Sequence, residues 1–299
     1  MSLSVIDKLM YTTVKITALD DQMHPASTGT GFFYKFDKGN GVTQPIIVTN
    51  KHVLIQYDPK TGAVIHEYDS LMVHFNLSDV KNNPLPGQYY SYTALGVKEG
   101  RIDHPDDNID LACIPMASFE RDMASKGIHP FYIAIDKSVI PDINGWSELN
   151  AMEDIVMIGY PNGLWDHVNN LPLMRRGVTA THPKYDYNGE PKFVIDCACF
   201  PGSSGSPVFV FNQGSYHQNG GLVIGSRLLF VGILHAGPQY TATGEIRIVD
   251  VPTALQPVAL WSIPNNLGYV IKSTKVADLE PLLDERNKQY EQSRPARKL

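Results

Sequence analysis

"CFPGSSGSPVF", residues 199–209, sets three serines within four positions among glycines and prolines. Apolar, β-prone runs flank it: "KFVIDCACF" (192–200) before and "SPVFVF" (206–211) after. Gly/Ser/Pro clusters between apolar runs mark turns. A turn alone asks for no chemistry, but a nucleophile does. An unassisted serine hydroxyl is weakly reactive at neutral pH and needs an adjacent base. The base in turn needs a third group to fix its tautomer, and a tetrahedral oxyanion needs backbone N–H donors. Glycine permits the sharp backbone that presents such donors. Gly202 and Gly205 bracket Ser204. Ser204 is therefore the candidate nucleophile, with the N–H groups of Gly202 and Ser204 as the candidate oxyanion hole.

A base and a carboxylate must then lie elsewhere. His52 stands at the end of the apolar run "IIVTNKHVL" (46–54), a setting that none of the other nine histidines shares. A lone histidine there reads equally as a strand-end residue bonded locally. In "HPDDNIDLACIPM" (104–116), Asp110 directly precedes an apolar segment and is placed for a partly buried carboxylate. Asp106 and Asp107 lie in a polar turn with no apolar run beside them. Aspartate is also a common turn residue, which is the plain alternative for Asp110.

The 299 residues suffice for one large domain or two ordinary ones. With 43% hydrophobic and 19% charged residues the chain can bury a large core, which argues against disorder. A net charge of −6 and the lack of a recurrent basic stripe give no support to nucleic-acid binding. The one dense basic cluster, "RPARKL" (294–299), reads as a solvated tail. No leader signature opens the chain, and no apolar run is long enough to span a membrane. The three cysteines, Cys113, Cys197 and Cys199, read as buried free thiols of a reducing compartment, so a cytoplasmic location is expected. No second ligand pair accompanies Cys197 and Cys199, so neither a metal nor another cofactor is expected.

Short β-rich runs punctuated by turns dominate the chain. They include "TTVKITAL" (12–19, alternating Val14, Ile16, Ala18), "GTGFFYKF" (29–36), "PIIVTN" (45–50), "SLMVHFNL" (70–77), "DIVMIGY" (154–160), "LLFVGILHAG" (228–237) and "LGYVIKS" (267–273). About ten such runs at this spacing predict barrels or a sandwich. One helix is predicted near the C-terminus, capped by Asp278 with Leu279, Leu282 and Leu283 on one face. A helical turn is expected around "SFERDMASKG" (118–127). Residues 117–150 read as the connection between two β-halves.

Taken together, "TGTGFFY…IIVTNKHVL", "NIDLACI" and "PGSSGSPVF" resemble the serine proteases of the chymotrypsin (trypsin-like) fold, in the order His, Asp, Ser. The family motif G-x-S-G-[GS]-P is met by Gly202–Pro207, T-N/A-x-H-V by Thr49–Val53, and D-[LI]-A by Asp110–Ala112. "IGYPNG" (158–163) resembles a strand and loop of bacterial glutamyl-endopeptidase-like and Deg-type members. The resemblance spans roughly residues 10–275. It implies an all-β fold of two six-stranded antiparallel β-barrels with a C-terminal α-helix. The whole chain would be one peptidase domain: about 1–125 the first barrel, about 145–275 the second, 276–299 helix and tail.

The resemblance further implies a serine endopeptidase acting on peptide or protein substrates, with His52 as general base and acid, Asp110 orienting it and Ser204 attacking. No nucleic acid, membrane or cofactor is implied, and any regulatory partner is unspecified. In the resembling family the floor of the primary pocket lies six residues before the nucleophile; here that implies uncharged Ala198, which disfavours Arg or Lys before the cut. Gly237 resembles the substrate-pairing strand. His235 falls near the histidine of Glu- and Gln-cleaving relatives but one position off, which on a regular strand turns it to the opposite face. Ser203 stands where animal digestive members carry an aspartate, so activation by a released N-terminus is not expected. With only a short stretch after residue 275, the PDZ-like domain of Deg-type members is not expected here. Two rival readings are a silent member that only binds peptides or partners, and an acyl hydrolase with a serine elbow. The elbow requires a helix after the serine, whereas Pro207 and a β-rich run follow Ser204.

Overall fold

The computed structural model describes residues 3–218, 220–237, 239–245, 258–264 and 266–293. The tail 294–299 lies outside them. Strands dominate; most fall into two groups, with three two-stranded sheets beside them. In the second half, six antiparallel strands close into a barrel. In order around it they are Asp154–Gly159, Leu173–Thr179, Lys192–Asp196, Leu267–Lys272, Arg227–Ala236 and Pro207–Asn212. The first half is an eight-stranded sheet, not six-stranded, and its pairings among the described residues do not close it. Its path runs Pro130–Phe131, Ser70–Ser78, Thr13–Leu19, Pro25–Asp37, Thr43–Thr49, Ala112–Pro115 and Ile102–Asp103, with Pro84–Leu95 added on Ser70–Ser78.

Period-2 alternation explains how the halves join. Side chains of successive strand residues point to opposite faces, yet in "GFFYKF" both faces are apolar. Phe33 enters the core of the first sheet with Val14, Ile16, Ile47 and Phe75. Phe32, Tyr34 and Phe36 point the other way, into a cluster shared with Ile158, Phe209, Phe230 and Ile271 of the barrel. The barrel's own interior holds Ile155, Met157, Phe193, Val208, Val210 and Val231. Strands buried on both faces read as near-continuous apolar runs.

The C-terminal helix runs Glu280–Ser293 and follows a 3-10 segment, Ser273–Leu279. Asp278 is therefore not its N-cap. It lies inside the 3-10 segment and accepts from Lys275 Nζ at 3.0 Å and pairs with His104 Nε2 at 3.1 Å. Leu279 and Leu283 sink into the cluster between the halves. Arg286 Nη1 donates to the carbonyls of Gly100 and Arg101. These bonds tie the chain's end to the segment that leads to Asp110. The helix expected near 118–127 spans Ala117–Ser125. Residues 117–150 do more than connect: Pro130–Phe131 joins the first sheet.

Cys113, Cys197 and Cys199 are free and buried. Burial pushes the Cys113 and Cys199 thiols up to about 12. Among the described residues no helix is long and apolar enough to cross a membrane. None of their His, Cys, Asp and Glu side chains cluster in threes to hold a metal ion.

Candidate active site

The strand Thr43–Thr49 ends at Asn50, and one short helical turn, Lys51–Leu54, carries His52. Val53 and Leu54 are buried in the first sheet's core, which fixes the turn and leaves His52 half-exposed. Asp110 arrives from the segment held by the C-terminal helix. Its Oδ2 lies 2.5 Å from His52 Nδ1, and its Oδ1 accepts from the His52 backbone N–H at 3.1 Å. Asn50 Nδ2 donates to the Asp110 carbonyl at 2.7 Å. Against an ionised carboxylate Nδ1 carries the proton, so Nε2 keeps its lone pair.

Burial alone would raise the Asp110 pKa. The imidazoles of His235 and His52 outweigh it and hold the carboxyl at about 2. Asp106 is occupied otherwise: its Oδ1 accepts from the Asn108 N–H and Nδ2, and its carbonyl accepts from Lys51 Nζ. Asp107 is exposed.

His235 stands at a β-bulge. The register between Arg227–Ala236 and Leu267–Lys272 slips between Leu234 and Ala236. A bulge re-aims the side chain at the slip. His235 Nδ1 thereby comes to 3.7 Å from Asp110 Oδ2. Simple alternation could not reveal this contact.

The serine loop is two consecutive tight turns. Ser203 N–H donates to the Phe200 carbonyl at 3.0 Å, and Ser206 N–H to the Ser203 carbonyl at 3.0 Å. Gly202 and Gly205 hold the third positions with φ of 84° and 87°. Pro201 precedes Gly202, the Pro-Gly signature of a type II turn. Gly205 N–H is taken by the Leu234 carbonyl. That leaves the N–H groups of Gly202 and Ser204, on either side of the bonded Ser203 N–H, with no acceptor among the described residues.

Thr30 fastens this loop to the first half. Its N–H donates to the Ser204 carbonyl at 2.8 Å, and its Oγ1 donates to the Gly202 carbonyl at 3.0 Å while accepting from the Tyr160 N–H at 3.1 Å. Its own carbonyl accepts from Thr49 Oγ1 at 2.8 Å. A Cβ on Gly205 would stand 1.9 Å from the Thr30 oxygen and 2.8 Å from Thr49 Oγ1. Only glycine lets the residue after Ser204 pack against the end of the strand that leads into His52. Ser204 is half-buried, and its Oγ makes no hydrogen bond to His52 among the described residues. Catalytic hydrogen bonds are often long in a ligand-free protein.

Ala198 is half-buried and Gly237 exposed. Arg175 was not singled out in the sequence, yet its Nη1 donates to the Ala198 carbonyl at 2.9 Å and its guanidinium lies 4.9 Å from the Phe200 ring centroid. It fixes a cation beside the run that leads into the serine loop. Ser203 is buried, and its Oγ is without a partner among the described residues.

Among known proteins, the model of the trypsin-like peptidase domain matches residues 29–216. No curated protein matches the chain. Among solved structures, the chain is similar to the active form of the Rv3671c protease from M. tuberculosis, at 14% identity and a TM-score of 0.41, over 92% of this chain and 82% of that one. It is also similar to the scabies mite inactivated protease paralogue S-I1, at 13% identity and a TM-score of 0.43, over 93% and 96% of the two chains. With the family model spanning well over half of its residues, the chain belongs to the trypsin-like peptidase domain family.

Proposed function

We infer that the protein is a serine endopeptidase with Ser204 as nucleophile, His52 as general base and acid, and Asp110 as its orienting carboxylate. The observation that carries this reading is the serine loop itself. Two N–H groups, those of Gly202 and Ser204, have no acceptor among the described residues and flank the bonded Ser203 N–H. That arrangement suits an oxyanion. Ser204 Oγ attacks the peptide carbonyl carbon as its proton passes to His52 Nε2. The tetrahedral oxygen is held by the two N–H groups. His52 then gives the proton to the leaving amine, and water, activated by the same imidazole, releases the acyl group. Asp110 stabilises the imidazolium without taking its proton.

Ala198, His235 and Gly237 are assigned to substrate binding, His235 at the junction between Asp110 and the strand that reaches Gly237. The Arg175 cation bonded to Ala198 and the uncharged Ala198 side chain both disfavour Arg or Lys before the cut. Small to medium uncharged side chains suit this pocket. The cleft between the two halves is the proposed substrate channel, with the eight-stranded sheet and the closed barrel acting as one peptidase domain.

Peptide hydrolysis by the full chain, compared with Ser204→Ala, tests this. Loss of the nucleophile is expected to lower kcat by roughly 10⁴–10⁶ with the fold retained. Wild-type turnover in Ser204→Ala would refute the assignment. The missing Ser204 Oγ–His52 hydrogen bond favours a second reading, a silent peptide-binding member. An inert wild-type chain that still binds peptides would select it.

A further inference from the structure

The strand Thr13–Leu19 looks simple in sequence: Val14, Ile16 and Ala18 face the core and the residues between them face away. The other face is buried too. Lys15 is only 8% exposed. In the antiparallel register Lys15 sits directly opposite Thr30, with Thr13 opposite Phe32 and Thr17 opposite Thr28. Residues directly opposite share a face. Lys15 therefore lies beside the residue whose Oγ1 holds the Gly202 carbonyl, on the face that meets the serine loop.

The segment after Asp154–Gly159 roofs this position. A Cβ on Gly163 would lie 3.7 Å from Lys15 Nζ, and a Cβ on Gly202 would lie 3.1 Å from the Gly163 nitrogen. One residue thus separates the ammonium from the proposed oxyanion hole. Lys15 Nζ stands 3.4 Å from the Trp165 ring centroid. The roof is anchored: buried Asn170 donates through Nδ2 to the His74 carbonyl at 3.1 Å and to Asn76 Oδ1 at 3.3 Å. His74 stacks on Trp165 with centroids 6.1 Å apart and ring planes 14° from parallel. At the roof's edge Asn162 is exposed and Leu164 is 59% exposed, so the site opens to solvent there.

No carboxylate among the described residues pairs with Lys15, and burial alone acts on its pKa, lowering it. The Trp165 Nε1–H is also buried without an acceptor. The His74 ring makes its hydrogen bond elsewhere, through Nδ1 to Ser91 Oγ at 2.8 Å. Holding a largely buried lysine side chain without a carboxylate partner is unfavourable, and the aromatic face offsets only part of that. An anion with more than one acceptor atom suits both donors.

We propose that Lys15 and Trp165 form a subsite for a carboxylate of the peptide substrate, so that an acidic residue at one position near the cut is preferred over its amide counterpart. The subsite rests on the endopeptidase reading. A carboxylate meets the ammonium and the indole N–H together, whereas an amide leaves the cation uncompensated. Charge-assisted hydrogen bonds of this kind carry more discrimination than neutral ones.

Peptide pairs that differ only by Glu or Gln, scanned through each position on both sides of the cut, test the proposal on wild type, Lys15→Met and Lys15→Arg. One position is expected to favour Glu by about tenfold or more in kcat/KM, with the preference lost in Lys15→Met and retained in Lys15→Arg. Should Lys15→Met fail to fold, Trp165→Phe keeps the cation and removes the indole N–H, and a reduced Glu preference is expected there. Turnover with equal rates in every pair would overturn the subsite and leave the endopeptidase standing. A Glu preference unchanged in the variants would do the same. Absence of turnover on all peptides would overturn both.

Discussion

The His52–Asp110 corner and the Phe200–Pro207 loop meet across Thr30, and they are held in different ways. The corner is fixed by side-chain charge and hydrogen bonds: Asp110 takes two contacts from His52 and a third, longer one from His235. The loop is fixed by backbone shape, with two glycines at positive φ and the N–H groups of Ser203, Gly205 and Ser206 bonded, while those of Gly202 and Ser204 have no acceptor among the described residues. The corner should therefore fail chemically when its charge is altered, with the fold intact. The loop should fail structurally when a single methyl group is added.

The largest expected effect lies in the corner. Asp110→Asn keeps the shape but presents the wrong hydrogen-bonding group to His52 Nδ1. A loss of about 10⁴ in kcat is expected, because the imidazole is then held in the wrong tautomer. Asp106→Asn should leave kcat nearly unchanged, since Asp106 serves Asn108. Steady-state rates of the two variants decide it, and equal losses would put the carboxylate elsewhere.

In the loop, Gly205→Ala drives a Cβ to 1.9 Å from the Thr30 oxygen at a φ of 87°. Destabilisation of several kcal/mol is expected, read as a lower midpoint in urea. An unchanged midpoint would mean that the loop does not need its glycines. The smallest effect returns to the corner. The Asp110 carboxyl is held at about 2 in the folded protein, below its ordinary value near ~3.9. Its stabilisation is present above the unfolded value and is lost as pH falls through about 2. Acid unfolding curves should be shallower in Asp110→Asn by roughly 2 kcal/mol between neutral pH and the acid limit.

The same contrast separates what the sequence made legible from what it hid. The loop was legible because glycine at Gly202 and Gly205 is a backbone requirement, and such requirements are written locally. Asp110 was distinguishable from Asp106 because it abuts a buried strand. The contact of His235 with Asp110 was not, since it depends on a bulge at one register slip. Lys15 was hidden for a related reason. Alternation in "TTVKITAL" shows which face each residue takes, but not that a segment some 150 residues later roofs the second face. Pro130–Phe131 is too short to announce itself as a strand, and closure of a sheet depends on edge pairings that no local pattern encodes.

Covalent labelling tests the central claim most directly. The folded full chain is treated with a fluorophosphonate probe, and the adduct is mapped by peptide mass spectrometry. One adduct is expected, on Ser204, formed by wild type and absent in His52→Ala. An adduct on Ser203 or Ser206, labelling that survives His52→Ala, or no adduct on a protein that hydrolyses peptides would contradict it.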